Sequence, residues 1–222
     1  MLSSPRLAAL VFDMDGTLLD SLPVQLESYR RAIVGSGGRD YSDAEILEAF
    51  HTGSAAVMLE ALIGLPVGAE AVDRYEAYLR ANAADVSAYP GISTALTDLS
   101  GNFRLGVFTA ADTSAAETLL AATGLRSSFD VVIGADKVER TKPAPDGLLL
   151  ACEALGARAT ECAYIGDAPV DVQVARACGA VAVAAGWGGR FAVDRSADIV
   201  VNDPGDLVRS LAAGSGVSFE PT

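Results

Sequence analysis

The sequence predicts an α/β fold: a doubly wound, Rossmann-like, mainly parallel sheet carrying an inserted α-helical unit. Three observations predict it. Short runs that are apolar on both faces recur along the chain, as strands buried inside a parallel sheet must be. Helical patterns stand between those runs, the alternation of a sheet built by crossovers. Residues 18–88 break the rhythm, with helical patterns and no convincing strand. The predicted organisation is therefore a core of residues 1–17 and 89–222 around a helical insert of residues 18–88.

The elements follow in order. Residues 7–12 (LAALVF) form the first expected strand, and 103–108 (FRLGVF) the second. Residues 131–133, 162–165 (CAYI), 180–184 (AVAVA) and 199–201 (IVV) complete the set. Core helices are expected over 93–99, 113–123, 144–155 and 170–178, three of them closed by Gly124, Gly156 and Gly179. The insert reads as helices at 23–33, 43–50, 54–63 and 69–84, with turns at 35–38 and 64–66. Its junctions near 18–21 and 87–91 are hinge candidates. The tail 214–222 is expected to fray.

Composition narrows the function classes. The chain has 222 residues, half of them apolar, which suffices for a sizeable core without disulfide staples. Its three cysteines, at 152, 162 and 178, form no CxxC pair, so a zinc finger or disulfide framework is not expected. Acidic residues outnumber basic ones 29 to 16, a formal charge of −13, which disfavours broad binding to nucleic acid or anionic lipid. The apolar stretch 7–12 ends at Asp13 and is too short for a signal-peptide core or a membrane span. The expectation is a soluble, cytoplasmic protein whose partner is a small molecule.

The strongest chemical signal is Asp13-Met14-Asp15-Gly16-Thr17, where two acids stand at the end of the first strand. Ligands bind at the carboxyl ends of strands in such sheets. Acids two residues apart point to one side of a strand and repel each other unless a cation or shared proton intervenes. A hard divalent cation with oxygen ligands relieves that repulsion, and Mg²⁺ suits a site that also holds phosphate. The second strand ends at Thr109-Ala110, and the fourth at Gly166-Asp167 with Asp171 four residues on. Lys142, one of two lysines with Lys137, lies in Arg140-Thr141-Lys142-Pro143. Taken singly, Thr109 reads equally as a helix cap and Lys142 as a surface lysine. In order, however, the strand ends carry two acids, a hydroxyl, a lysine and two more acids.

That order resembles the phosphatase branch of the haloacid dehalogenase superfamily, in its phosphoglycolate and sugar-phosphate phosphatase groups. The matching residues are DMDGTLLDS at 13–21, Thr109, Lys142 in TKPAPD and GDAPVD at 166–171. The insert falls where that branch carries its α-helical cap. The resemblance implies a phosphatase acting on a small phosphorylated metabolite through an aspartyl-phosphate. It makes Asp13 the nucleophile and Asp15 the general acid and base. Mg²⁺ would be held by the Asp13 carboxylate, the Asp15 carbonyl and Asp167. Thr109 and the Ala110 N–H would hold phosphoryl oxygens, Lys142 would neutralise charge, and Asp171 would orient Lys142 or metal-bound water.

Departures sharpen the reading. Ala110 stands where many relatives have Asn. Asp15 argues against dehalogenation, and an insert without lysine argues against phosphonate cleavage through a Schiff base. Gln25 stands where the family's sugar-phosphate mutases carry a histidine, which disfavours mutase activity. A mutase, a phospho-receiver and a non-catalytic phosphate-binding module are the alternatives. For the leaving group, the candidates are Thr52, Gly53 and Ser54, beside the single histidine His51. Arg30, Arg31, Arg39, Arg74 and Arg80 are further options for a substrate carboxylate. The loop at Gly186-Trp187-Gly188-Gly189 reads as a turn anchored by Trp187, with a position beside the site as the other option.

Overall fold

In the computed structural model, residues 7–50, 54–64, 66, 68–189 and 191–215 are described. Strand β1 (Ala9–Phe12) leads into a short strand β2 (Leu19–Asp20), then helices α1 (Leu22–Gly35), α2 (Asp43–Ala49), α3 (Ala55–Ile63) and α4 (Ala69–Ala81). The chain returns through β3 (Ser87–Ala88) to α5 (Ile92–Ser100), β4 (Arg104–Phe108), α6 (Thr113–Ala122) and β5 (Val131–Ile133). The rest is α7 (Asp146–Ala154), β6 (Cys162–Gly166), α8 (Pro169–Cys178), β7 (Val181–Ala185), β8 (Ile199–Val201) and α9 (Leu207–Ser215).

Six strands form one sheet in the order β5-β4-β1-β6-β7-β8, with every pairing parallel. The chain moves outward from β1 on one side, then crosses back to β6 on the other. That reversal beside β1 opens a crevice at the carboxyl edge, where an α/β sheet binds its ligand. Successive residues of β1 serve opposite faces. Leu10 and Phe12 belong to one apolar cluster, Ala9 and Val11 to the other, and all four are fully buried. This is why the strand is apolar throughout rather than alternating.

The six core strands match the expected runs to within a residue or two. Four expectations need correction. The insert region does contain strands: Leu19 pairs with Ala88 and Asp20 with Ser87, antiparallel, at its two junctions. A two-residue strand carries no period to read. Residues 214 and 215, expected to fray, close α9, which packs against β8 and α5; residues 216–222 lie outside the described residues. The expected helix over 69–84 stops at Ala81, and that over 144–155 starts at Asp146, after Pro143 and Pro145.

The helices of residues 22–81 pack on one another. Tyr29 of α1 lies 4.5 Å, centroid to centroid, from Tyr75 of α4 and 5.6 Å from Phe50 after α2. Helix α2 starts with a capping box: the Glu45 carboxylate accepts the Ser42 N–H at 2.9 Å, and the Ser42 hydroxyl accepts the Glu45 N–H. These helices also meet α6, where the Ser114 hydroxyl donates to Glu76 of α4 at 2.5 Å.

Candidate active site

Asp13 is the first residue past β1. Its N–H continues the ladder onto the Ile165 carbonyl at 2.8 Å, which fixes it beside β6. Gly16 then takes φ +91°, and its N–H closes a turn on the Leu19 carbonyl. A Cβ at Gly16 would lie 2.4 Å from an Asp167 carboxylate oxygen, so only glycine lets the two loops meet. Gly188 presses on the same turn from the other side: its missing Cβ would fall 2.3 Å from the Gly16 carbonyl. The Trp187 indole N–H donates to the Thr17 carbonyl at 2.8 Å, so this loop is clamped onto the DxDGT turn.

Thr109 follows β4, with its N–H on the Ile133 carbonyl, while its hydroxyl accepts the Ala111 N–H at 3.1 Å. Asp167 follows β6, and the Thr17 hydroxyl reaches it at 3.5 Å. Asp171 sits in the first turn of α8, where its carboxylate accepts the Ala168 N–H at 3.1 Å. Lys142 arrives from the loop before α7 and donates to Asp13 at 2.6 Å and to Asp171 at 2.8 Å. Its side chain is only 8% exposed, in step with Asp13 and Asp171, so the three charges are desolvated together.

Asp13, Asp15, Thr109, Ala110, Lys142, Asp167 and Asp171 thus share the wall of one cavity of about 80 Å³, large enough for a small anion and its counter-ion. A second cavity of about 260 Å³ adjoins it through Phe50, Ala110, Lys142 and Val170. Phe50 and Phe191 line the first cavity, a pair that no motif announced. Ser54 is the N-cap residue of α3 and does not line either cavity. His51, Thr52 and Gly53 lie outside the described residues. The five arginines of the insert are engaged elsewhere: Arg30 and Arg31 with Glu27, Arg39 with Glu45, Arg74 with Glu70, and Arg80 with Glu76.

The electrostatics are dominated by acid. Burial pushes the Asp13 carboxyl well above the ordinary carboxylate range; Lys142 pulls it down, while Asp171, Asp167 and Asp15 push it up again. Burial also works against the Lys142 ammonium, but Asp13 and Asp171 outweigh it and hold its pKa well above the usual lysine value. One ammonium therefore faces four carboxylates. Oxygens of Asp13, Asp167 and Asp171 lie within 4.8 Å of one another, a hard donor set suited to a divalent cation. Both Asp171 oxygens already accept hydrogen bonds, from Lys142 and from the Ala168 N–H, which leaves Asp13 and Asp167 as the better donors.

The profile of haloacid dehalogenase-like hydrolases matches residues 10–185, which include this entire constellation. The chain belongs to that family. Among relatives of the haloacid dehalogenase-like hydrolase, fructose-1-phosphate phosphatase YqaB of Escherichia coli is 34% identical over 80% of this chain and 96% of its own. The phosphoglycolate phosphatase of Xanthomonas campestris pv. campestris is 33% identical over 90% of this chain and 94% of its own. A hydrolase of subfamily IA from Geobacter sulfurreducens superposes with a TM-score of 0.71 at 27% identity, covering 91% of this chain and 98% of that one. CbbY of Rhodobacter sphaeroides, solved with phosphate, shares the fold with a TM-score of 0.83 at 21% identity, over 95% of this chain and all of that one.

Proposed function

We propose that this hydrolase cleaves the phosphate monoester of a small metabolite, of the sugar-phosphate or phosphoglycolate type, through a phosphorylated Asp13. The relatives are named phosphatases, and the enzyme class that follows is phosphoric monoester hydrolase. The carrying observation is that Lys142 bridges Asp13 and Asp171 while Asp167 faces the same point, from three separate stretches of chain. Such convergence of buried charge costs stability and is retained where charge must be neutralised during reaction.

Asp13 attacks phosphorus, and the bond to the leaving oxygen breaks. Asp15 gives a proton to that oxygen, so an alcohol departs. Water then attacks phosphorus, losing a proton to Asp15, and phosphate leaves Asp13 as a free carboxylate. Thr109 and the Ala110 N–H hold phosphoryl oxygens. Lys142 offsets charge on Asp13, and Asp171 keeps its ammonium in place. The Asp13 and Asp167 carboxylates, with the Asp15 carbonyl, would hold Mg²⁺. Bound there, the ion supplies neutralisation of nucleophile and phosphoryl charge. Residues 18–88 act as the cap that covers the leaving group, with Phe50 its residue in the cavity wall.

The test is hydrolysis by purified protein with Mg²⁺ of fructose 1-phosphate, phosphoglycolate and N-acetylmuramic acid 6-phosphate, compared by kcat/KM. Steady release of phosphate from any of them supports the reading. A single stoichiometric phosphorylation without turnover would instead indicate a phospho-receiver, and transfer between sugar hydroxyls a mutase.

A further inference from the structure

Asp15 is tied to the first helix of the insert through Ser21, the last residue of the DMDGTLLDS string, and through Gln25, which lies outside that string. The Gln25 amide nitrogen and the Ser21 hydroxyl both donate to the same oxygen, Oδ1. The Gln25 amide also donates to the Ser21 oxygen at 3.2 Å, so the three groups form a closed set. Ser21 is 1% exposed and Gln25 3%. A buried amide of this kind is held in one orientation, because no water competes for its donor. The other oxygen, Oδ2, is the one approached by the Thr109 hydroxyl, at 3.5 Å, on the cavity side.

We infer that Gln25 is a positioning residue for proton transfer. It acts through Asp15, directing Oδ2 and its proton at the leaving oxygen. Two donors on Oδ1 exclude a proton there, so the proton resides on Oδ2, beside Thr109 and the phosphoryl pocket. Gln25 belongs to α1, so the acid's aim is set by the insert and not only by the turn after β1 that carries Asp15. A neutral amide suits this task, since it donates at any working pH and adds no charge to an acid-rich site.

This inference rests on the proposed role of Asp15, and leaving-group dependence separates the two. Gln25→Met keeps the side chain's length and removes its donor. The full chain, with Mg²⁺, is assayed by kcat/KM on p-nitrophenyl phosphate, whose phenolate leaves without a proton, and on fructose 1-phosphate, whose alkoxide needs one. Gln25→Met is expected to lower kcat/KM for the sugar ester about tenfold or more, a fraction of the range general acid catalysis supplies, and to leave the aryl ester within about threefold. Ser21→Ala, a smaller change at the same oxygen, is expected to shift the ratio in the same direction. Equal losses on both esters in both variants, at unchanged melting temperature, would make Gln25 structural and overturn the inference. If Asp15→Asn selectively loses the sugar ester and Gln25→Met does not, the inference fails alone. If Asp15→Asn shows no such selectivity, or the unaltered protein hydrolyses neither p-nitrophenyl phosphate nor any of the three alkyl esters named above, the role of Asp15 fails and the inference with it.

Discussion

Gly16 admits no other residue without moving Asp167. Its φ of +91° is strained for any L side chain, and the space for a Cβ is taken by the Asp167 carboxylate at 2.4 Å. Gly16→Ala should therefore lose about 1–3 kcal/mol of stability, measured by urea unfolding, and weaken divalent-cation binding in titration calorimetry. Unchanged stability and cation affinity would show that the two loops do not meet this closely. At this scale the acids, Thr109 and Lys142 were legible, because their types recur at strand ends in a fixed order. The partners of Asp15 were not legible as partners. Ser21 lies inside the DMDGTLLDS string and Gln25 stands out only against the mutases' histidine, since their convergence on one oxygen comes from helix packing. Phe50 and Phe191 carried no signal either, because an aromatic residue beside a polar site reads like any other core residue.

Helix α6 carries a titration that belongs to the element. Asp112 occupies its N-cap position without a side-chain capping bond. Burial, then Asp136 and Glu76, raise its pKa from 3.8 to about 6. A carboxyl raised on folding binds its proton more tightly in the folded state, so its contribution is best below the unfolded pKa and declines as pH rises through about 6. Asp112→Asn should then raise the melting temperature above pH 6, with the gain shrinking as pH falls toward 4. A gain independent of pH would contradict this origin. The six core strands were readable as short runs apolar on both faces, and the helices of residues 22–81 by their period. The paired strands β2 and β3 were too short to show one. Helix α9 was within reach, since Leu207 and Leu211 lie one turn apart and both are fully buried; the expected tail of 214–222 overlaps only its last two residues.

Across the whole molecule, a formal charge of −13 surrounds a site that must receive a phosphate ester. The long-range field repels the ligand, and with a screening length of about 8 Å at physiological salt only groups at the site reverse it. Lys142 alone does not balance Asp13, Asp15, Asp167 and Asp171. Mg²⁺ should therefore raise the melting temperature in a concentration-dependent way, by mass action on the folded state. Asp167→Asn should reduce that shift, and EDTA should abolish hydrolysis until Mg²⁺ is restored. Full activity in EDTA would rule out the cation. Among the described residues, no helix is long and apolar enough to cross a membrane.

The central claim is that Asp13 takes the phosphoryl group. Its most direct test is rapid acid quenching during turnover of p-nitrophenyl phosphate, followed by mass spectrometry of the peptides. The account predicts a transient phosphoryl adduct on the peptide containing Asp13, absent from Asp13→Asn, which should lose activity about a thousandfold or more. An adduct on another residue, or retention of activity in Asp13→Asn, would contradict it.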